Sequence, residues 1–590
     1  MTRPPIPPRE LTLSLARSRA AFIGVAAMSG LINLLYLTGS FFMLEVYDRV
    51  IPSRSVPTLI GLSLLALGLY LFQGALEVLR ARVLSRIGAA FDADVGGRAF
   101  DLVVRTPLRA GGSGDGMLPL RDLDTVRGFL AGSGPGALFD LPWIPVYLAV
   151  CFLFHPLIGV AAMVGGLILV GLVLVTDLMT RAPTRATTAH GQARTGLAEA
   201  GRRNAEVLAA LGMQDHIARR WEAANARFIT ANQRVADVAG GLGTASKIAR
   251  MVLQSGVLAL GAWLVIRGEA SAGLIIASSI LVSRALAPAE LAIANWKGWV
   301  AARQSWERLS DGFARIPSES DPHALPVPVS ALTVEGLGIA PPGGGRLVVQ
   351  DVSLGLRAGQ ALGVIGPSAS GKSSLVRALV GVWPAAIGSV RLDGAALNQW
   401  TSRTLGPHLG YLPQEVELFA GTIAQNIARF TPGASDEAVV AAAKAAGAHE
   451  LILRLPEGYD TRLGEAGTGL SAGQRQRVGL ARALYGDPFF VVLDEPNANL
   501  DAEGEHALTR AILGVRARGG ICIVVAHRPS ALAAVDLVLM MADGRVQAFG
   551  PKDEVLRRVL RPAEVAMSAA PQAAAAPPPS VGPVPLQESA

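Results

Sequence analysis

Six apolar runs that precede Trp296 constrain this chain more than any other feature. A bilayer core about 30 Å thick leaves backbone N–H and C=O groups without water, so only helices and closed barrels cross it. The runs are too long and too continuous for alternating barrel strands, and they are read as spanning helices at about 20–43, 58–79, 139–154, 156–175, 248–266 and 271–294. Apolar residues make up 51% of the chain and charged residues 17%. A soluble enzyme of this length carries more charge. A chain of 590 residues also exceeds what one core can organise.

The charges say which side is which. Arg80, Arg82, Arg86, Arg98, Arg105 and Arg109 follow the second run. Arg181, Arg185, Arg194, Arg202, Arg203, Arg219, Arg220, Arg227 and Arg234 follow the fourth. The positive-inside bias places both excursions, about 80–134 and 176–247, in the cytoplasm with both chain ends. The net charge of +7 therefore reflects membrane topology. No basic stretch is interleaved with aromatics as a nucleic-acid groove requires, so no nucleic-acid partner is expected.

The outer connections are short. The polar stretch from Met43 through Glu45, Asp48, Arg49 and Pro52 to Ser55 reads as an outside loop. His155-Pro156 separates spans three and four, and Arg267-Gly268-Glu269 separates five and six. A lone loop histidine is ordinarily neither a metal ligand nor a proton relay. Arg284 and Glu290 in the last span are costly in lipid and are expected to pair, to face a cavity, or to lie near the inner interface. Residues 1–19 are Pro-rich and then amphipathic, with Leu11, Leu13 and Leu15 beside Arg9, Arg17 and Arg19, which suggests an interfacial helix. No small-residue cleavage site follows a short apolar core, so the first span reads as uncleaved. Cys151 and Cys522 lie too far apart in sequence to form a disulfide framework or metal cluster.

The remainder reads as a membrane domain at 20–310, a linker at 311–330 marked by Pro317, Pro322, Pro326 and Pro328, a soluble α/β domain at 331–563, and a disordered Ala/Pro-rich tail at 564–590. In the soluble domain Gly366-Pro367-Ser368-Ala369-Ser370-Gly371-Lys372-Ser373-Ser374 fits G-x-x-x-x-G-K-[ST] between a short apolar strand and a helix. Such a turn aims backbone N–H groups and a helix N-terminus at phosphates. Lys372 would reach the β- and γ-phosphates, and the Ser373 hydroxyl would ligate Mg²⁺.

Four features follow in order: Tyr411-Leu412-Pro413-Gln414, the helix opening Leu470-Ser471-Ala472-Gly473-Gln474, the apolar strand 489–493 ending in Asp494-Glu495, and the strand 521–526 ending in His527. Asp494 would join the Mg²⁺ shell, Glu495 would act on an attacking water, His527 would contact the γ-phosphate, and Gln414 would complete the metal shell.

Together these motifs resemble the ATP-binding-cassette family. Leu470-Ser471-Ala472-Gly473-Gln474 is similar to that family's signature sequence. The resemblance implies a head-to-tail homodimer, with ATP held between Lys372 of one copy and Ser471, Gly473 and Gln474 of the other. Asn499-Leu500-Asp501 resembles the loop linking the two sites, and Leu463-Gly464-Glu465-Ala466-Gly467 resembles an exporter-specific loop. The family's usual adenine-stacking aromatic has no counterpart in the stretch from Leu337 to Gly343, where Pro341 stands closest.

Glu45 to Ser53, Phe139 to Pro145 with His155-Pro156, and Ser278 to Pro288 resemble the exporters of type I secretion systems, in the protease, lipase and surface-layer-protein subgroup. The fold class implied is a six-helix, all-α transmembrane exporter domain fused to a C-terminal α/β cassette, working as a homodimer in the bacterial inner membrane with the cassette in the cytoplasm. The implied cofactors are ATP and Mg²⁺. The implied partners are a periplasmic membrane-fusion adaptor, an outer-membrane channel and a secreted protein cargo with a C-terminal signal. An exporter of lipid or small molecules shares the architecture, and a soluble cassette ATPase shares only the second half.

Overall fold

A computed structural model describes residues 9–111, 116–318, 325–464, 467–526 and 529–560. The chain divides into two compact units, Met1–Ser318 and Glu319–Ala590. His527, the Glu465-Ala466 part of the exporter-type loop, Pro322 and the tail at 564–590 lie outside the described residues.

The first unit is helical throughout its described residues. Six helical stretches are long and apolar enough to cross a membrane: Arg19–Ser53, Val56–Arg109, Gly134–Phe154, Pro156–Arg203, Gln214–Ile266 and Ala272–Arg315. Spans two, four, five and six each continue into a cytoplasmic extension as one helix. Val56–Ala110 runs 55 residues without a break, about 80 Å at 1.5 Å per residue. The second excursion is interrupted between Ala205–Ala210 and the helix that starts at Gln214, where the sequence reading put a break at Leu211 to Asp215.

The stretch at 43–55 is a correction to the sequence reading. It continues as helix through Glu45, passes a wide turn at Val46–Val50, and reverses at Arg54, which has φ +53°. Its polar side chains suggested a loop, but they serve the neighbouring helix. Asp48 accepts from the Gly273 N–H at 2.8 Å and from the Ser271 hydroxyl at 2.5 Å. A carboxylate there satisfies N–H groups left open at the N-terminus of the last span helix. His155 likewise caps a helix, its Nδ1 accepting from Leu157 N–H at 3.2 Å.

Several charges inside this unit are matched locally. Arg80 donates to Asp140 at 3.1 Å and to the Ser29 hydroxyl at 3.0 Å. Asn33 donates to the same carboxylate at 2.8 Å, and the Tyr147 hydroxyl donates to Asn33 Oδ1 at 2.9 Å. Arg284 and Glu290 do not pair with each other. Glu290 accepts from Arg250 at 2.7 Å, and Arg284 lies over the Tyr36 ring. The N-terminal helix Arg9–Arg17 buries Leu11 completely among Phe91, Val95 and Phe313 and pairs Glu10 with Arg98 at 3.1 Å, while Leu13 stays 56% exposed.

The second unit holds twelve strands among its described residues. They are β1 Ala331–Ile339, β2 Val349–Arg357, β3 Ala361–Ile365, β4 Ile387–Leu392, β5 Ala395–Ala396, β6 Leu409–Leu412, β7 Gly421–Thr422, β8 Arg462–Leu463, β9 Phe490–Asp494, β10 Ile521–Val525, β11 Leu537–Ala542 and β12 Arg545–Pro551. A six-stranded sheet has the order β12-β11-β3-β10-β9-β6, and all pairs but β11–β12 are parallel. Strands β9 and β10 are buried along their whole length. That is why they read as continuous apolar runs and not as alternating ones. A separate antiparallel sheet has the order β2-β1-β4-β5.

Candidate nucleotide site

The parallel sheet brings four separated motifs to one edge. The phosphate loop follows β3, Gln414 follows β6, Asp494 ends β9, and the strand before His527 ends at Val525. Register puts Val525 beside both Val364 and Asp494, and Leu412 beside Leu493. The carboxyl edge of such a sheet is where ligands bind in this class of fold.

The loop's backbone leaves little choice of residue. Gly366 has φ +152°, and a Cβ there would lie 2.1 Å from the Met541 carbonyl oxygen. The following residues bend back, and the helix Lys372–Leu379 begins directly after Gly371. Lys372 is buried, and its ammonium donates to the carbonyls of Gly366 at 2.9 Å and Pro367 at 2.8 Å. Burial pulls its pKa down, and Glu495 and Asp494 pull it partly back. Ser368 and Ala369 form the crest of the loop, Ala369 with φ +65°. Ser370 is buried with its hydroxyl unpartnered among the described residues, and Ser373 and Ser374 lie in the first helical turn.

Two carboxylates stand behind the loop in different settings. Asp494 is 2% exposed, and its Oδ1 has no hydrogen-bond partner among the described residues. Burial raises its pKa, while a hydrogen bond from Ser373 and the charges of Arg377 and Lys372 oppose the rise. Glu495 takes a left-handed backbone with φ +50°, which costs a non-glycine residue free energy. Gln414 Nε2 donates to Glu495 Oε2 at 3.1 Å.

The Ser471 motif is a helix start before it is anything else. Ser471 Oγ accepts from Gln474 N–H at 3.3 Å, and Gln474 Oε1 accepts from Ser471 N–H at 2.8 Å. This reciprocal cap opens the helix Ala472–Leu484 and presents its N-terminus to solvent. Gly473 has no room for a side chain, because a Cβ would lie 2.8 Å from the Asn499 carbonyl oxygen. The helix it opens packs on the segment after Glu495, through the Gly473 approach to Asn499.

Asp501 caps the helix Ala502–Ala517, accepting from Gly504 N–H at 2.8 Å. It also accepts from Arg477 at 2.6 Å. The Gly504 hydrogen bond, with Arg477 second, holds its carboxyl below the usual range. Sequence reasoning missed Arg477 and Gln476. Both are buried on the helix that starts at Ser471, and Gln476 donates to the Pro496 carbonyl at 3.1 Å. Their only trace in the sequence is two polar residues at core-facing helical positions.

The residues fit a hard divalent cation. Asp494 offers a buried oxygen that no donor among the described residues uses, and Ser373 and Gln414 supply the neutral oxygens such an ion takes beside phosphate. Protein groups alone do not form a cage: no cluster of three His, Cys, Asp or Glu side chains occurs among the described residues.

A phosphate-gripping loop, a carboxylate pair at a strand end and a six-span helical unit on one chain define an ATP-driven membrane transporter. Residues 349–498 match the family described as "ABC transporter", and residues 22–286 match "ABC transporter transmembrane region". The chain is 63% identical over 552 residues to the type I secretion system ATP-binding protein PrsD of Rhizobium meliloti, covering 94% of this chain and 95% of that protein. It is 31% identical to the cyclolysin secretion/processing ATP-binding protein CyaB of Bordetella pertussis, covering 92% of this chain and 77% of that protein. A bacterial Atm1-family ABC exporter with ATP bound shares the fold, with a TM-score of 0.78 at 24% identity over 95% of this chain and 100% of that one. The chain belongs to the ABC transporter family, among its type I secretion ATP-binding proteins.

Proposed function

We propose that this chain is the inner-membrane ATPase of a type I secretion system, hydrolysing ATP in the cytoplasm to drive polypeptide out of it. The observation that carries this reading is the 63% identity to a type I secretion ATP-binding protein along nearly the whole length of both chains. An exporter of lipid or small molecules has no comparable support. The six spans argue against a soluble cassette ATPase.

In the proposed site two copies stand head to tail. Lys372 and the N–H groups of the loop at 366–374 hold the phosphates from one side. Ser471, Gly473 and Gln474 of the second copy hold them from the other, the helix N-terminus favouring negative charge. The loop at Asn499-Leu500-Asp501 ties the two halves, with Asp501 fixed by Gly504 and Arg477. Ser373, Asp494 and Gln414 would hold Mg²⁺, which would neutralise phosphate charge when bound. Glu495, oriented by Gln414, takes the proton from a water attacking the γ-phosphorus; the bond to the bridging oxygen breaks, and ADP carries the negative charge away. His527 is assigned to the γ-phosphate from sequence alone.

The partners that complete the assembly are a periplasmic membrane-fusion adaptor, an outer-membrane channel and a protein cargo with a C-terminal signal. Deleting the gene and restoring it as wild type or as Lys372→Ala tests the reading. Secretion of the cargo returns with the wild type and not with the variant. Secretion supported by Lys372→Ala alone would refute it.

A further inference from the structure

The last span helix carries Arg284 thirteen residues beyond its cap at Ser271, about 20 Å along the helix at 1.5 Å per residue and inside the apolar run 271–294. A cation at such a depth is costly unless it is matched. Its neighbours are matched: Arg80 by Asp140 and Arg250 by Glu290. Arg284 has no carboxylate within ion-pair distance among the described residues. Its guanidinium lies 4.6 Å from the centroid of the Tyr36 ring, and its free side opens on a cavity of about 430 Å³. The cavity lies between the first, second and last span helices, walled by Tyr36, Phe42, Met43, Tyr70 and Ile280. Its size is that of a ligand site, and its chemistry is one fixed cation in a largely apolar and aromatic wall.

We propose that this cavity is a subsite for the exported chain, taking an apolar segment that bears a carboxylate. The carboxylate pairs with the planar fork of Arg284, and the aromatic walls receive the flanking apolar side chains. This rests on the protein-export reading. Depth favours a polypeptide over a lipid: a phospholipid holds its anion in the interfacial layer, whereas a chain under export passes every level of the roughly 30 Å core.

The test uses the full chain in phosphatidylcholine nanodiscs and a labelled peptide of Asp, Phe and Leu, with its Asn-for-Asp counterpart as control. Fluorescence anisotropy should show the acidic peptide binding about tenfold or more tighter than the control. Arg284→Gln should abolish that preference, and Arg284→Lys should keep part of it. Ile280→Glu, which sets a carboxylate in the wall while leaving Arg284 in place, should also abolish it and decides the matter if Arg284→Gln fails to elute and melt as a folded protein. An unchanged preference in either folded variant overturns the proposal. So does loss of the preference in wild type when phosphatidylglycerol is added to the nanodisc, because the site then belongs to lipid. The export reading is judged separately in cells: if wild type secretes no protein, that reading fails, while equal secretion by wild type and Arg284→Gln defeats the subsite alone.

Discussion

Gln414 donates from its amide to the Glu495 carboxylate at 3.1 Å, joining the second residue past β6 to the residue after β9. The contact crosses neighbouring strands of one parallel sheet, so any shift of the segment that carries Gln414 is felt at the proposed base. Glu495→Gln keeps the shape and an oxygen for Gln414 but cannot accept a proton. ATP turnover should fall about 10²–10⁴-fold, the usual contribution of a general base, while ATP binding is kept. Gln414→Ala should cost less, roughly 10–100-fold, as an orienting partner does. Phosphate release and nucleotide titration on the purified chain check both.

The Ser471 cap and the Gly473 contact separate by mutation. Ser471→Ala removes a side-chain cap and should lower cassette stability by about 1 kcal/mol. Gly473→Ala forces a methyl toward the Asn499 carbonyl and should disturb the Asp501 loop as well. ATP turnover should drop in both, and the drop should exceed what the melting shift explains if the motif serves a second copy's nucleotide. Turnover that merely tracks stability would leave the motif a helix cap.

Asp501 gives a pH test with a definite sign. Its folded pKa is depressed, so the stability it contributes is present above the ordinary carboxylate pKa of about 3.9 and is lost only as pH falls through the lower folded value. The melting difference between wild type and Asp501→Ala should stay flat from neutral pH down to about pH 5 and shrink only below about 4. A difference that disappears between pH 7 and 6 would contradict the assignment.

Within the membrane unit, Asp140 gathers Arg80 and Asn33, and Asn33 holds the buried Tyr147 hydroxyl. Asp140→Ala leaves a partly buried guanidinium unmatched and should cost up to roughly 3 kcal/mol. Thermal unfolding in detergent should show the loss, and Asp140→Asn, which keeps one accepting oxygen for Asn33 and Arg80 but not the charge, should show a smaller one.

The two kinds of reading failed and succeeded for physical reasons. Spans and phosphate loop were legible because each is a local rule: an apolar run of bilayer length, and a glycine spacing that only a sharp turn between strand and helix needs. The polar stretch around Asp48 misled because its partner, the helix start at Ser271 and Gly273, lies more than two hundred residues away. Nor could periodicity distinguish the buried Arg477 and Gln476 from solvent-facing residues of an amphipathic helix.

By itself the sequence determined the class of chain: six membrane-length helices and a cytoplasmic α/β domain that carries the phosphate-loop motif. Those properties follow from hydrophobicity, charge bias and short motifs, which act over a few turns of chain. Tertiary structure alone decided which distant groups meet. The parallel order β3-β10-β9-β6 sets Lys372, Asp494, Glu495 and Gln414 at one edge, and helix packing gives Arg80 and Arg250 their carboxylates while leaving Arg284 facing a cavity. Partner choice across hundreds of residues depends on strand order and helix packing, which no local pattern records.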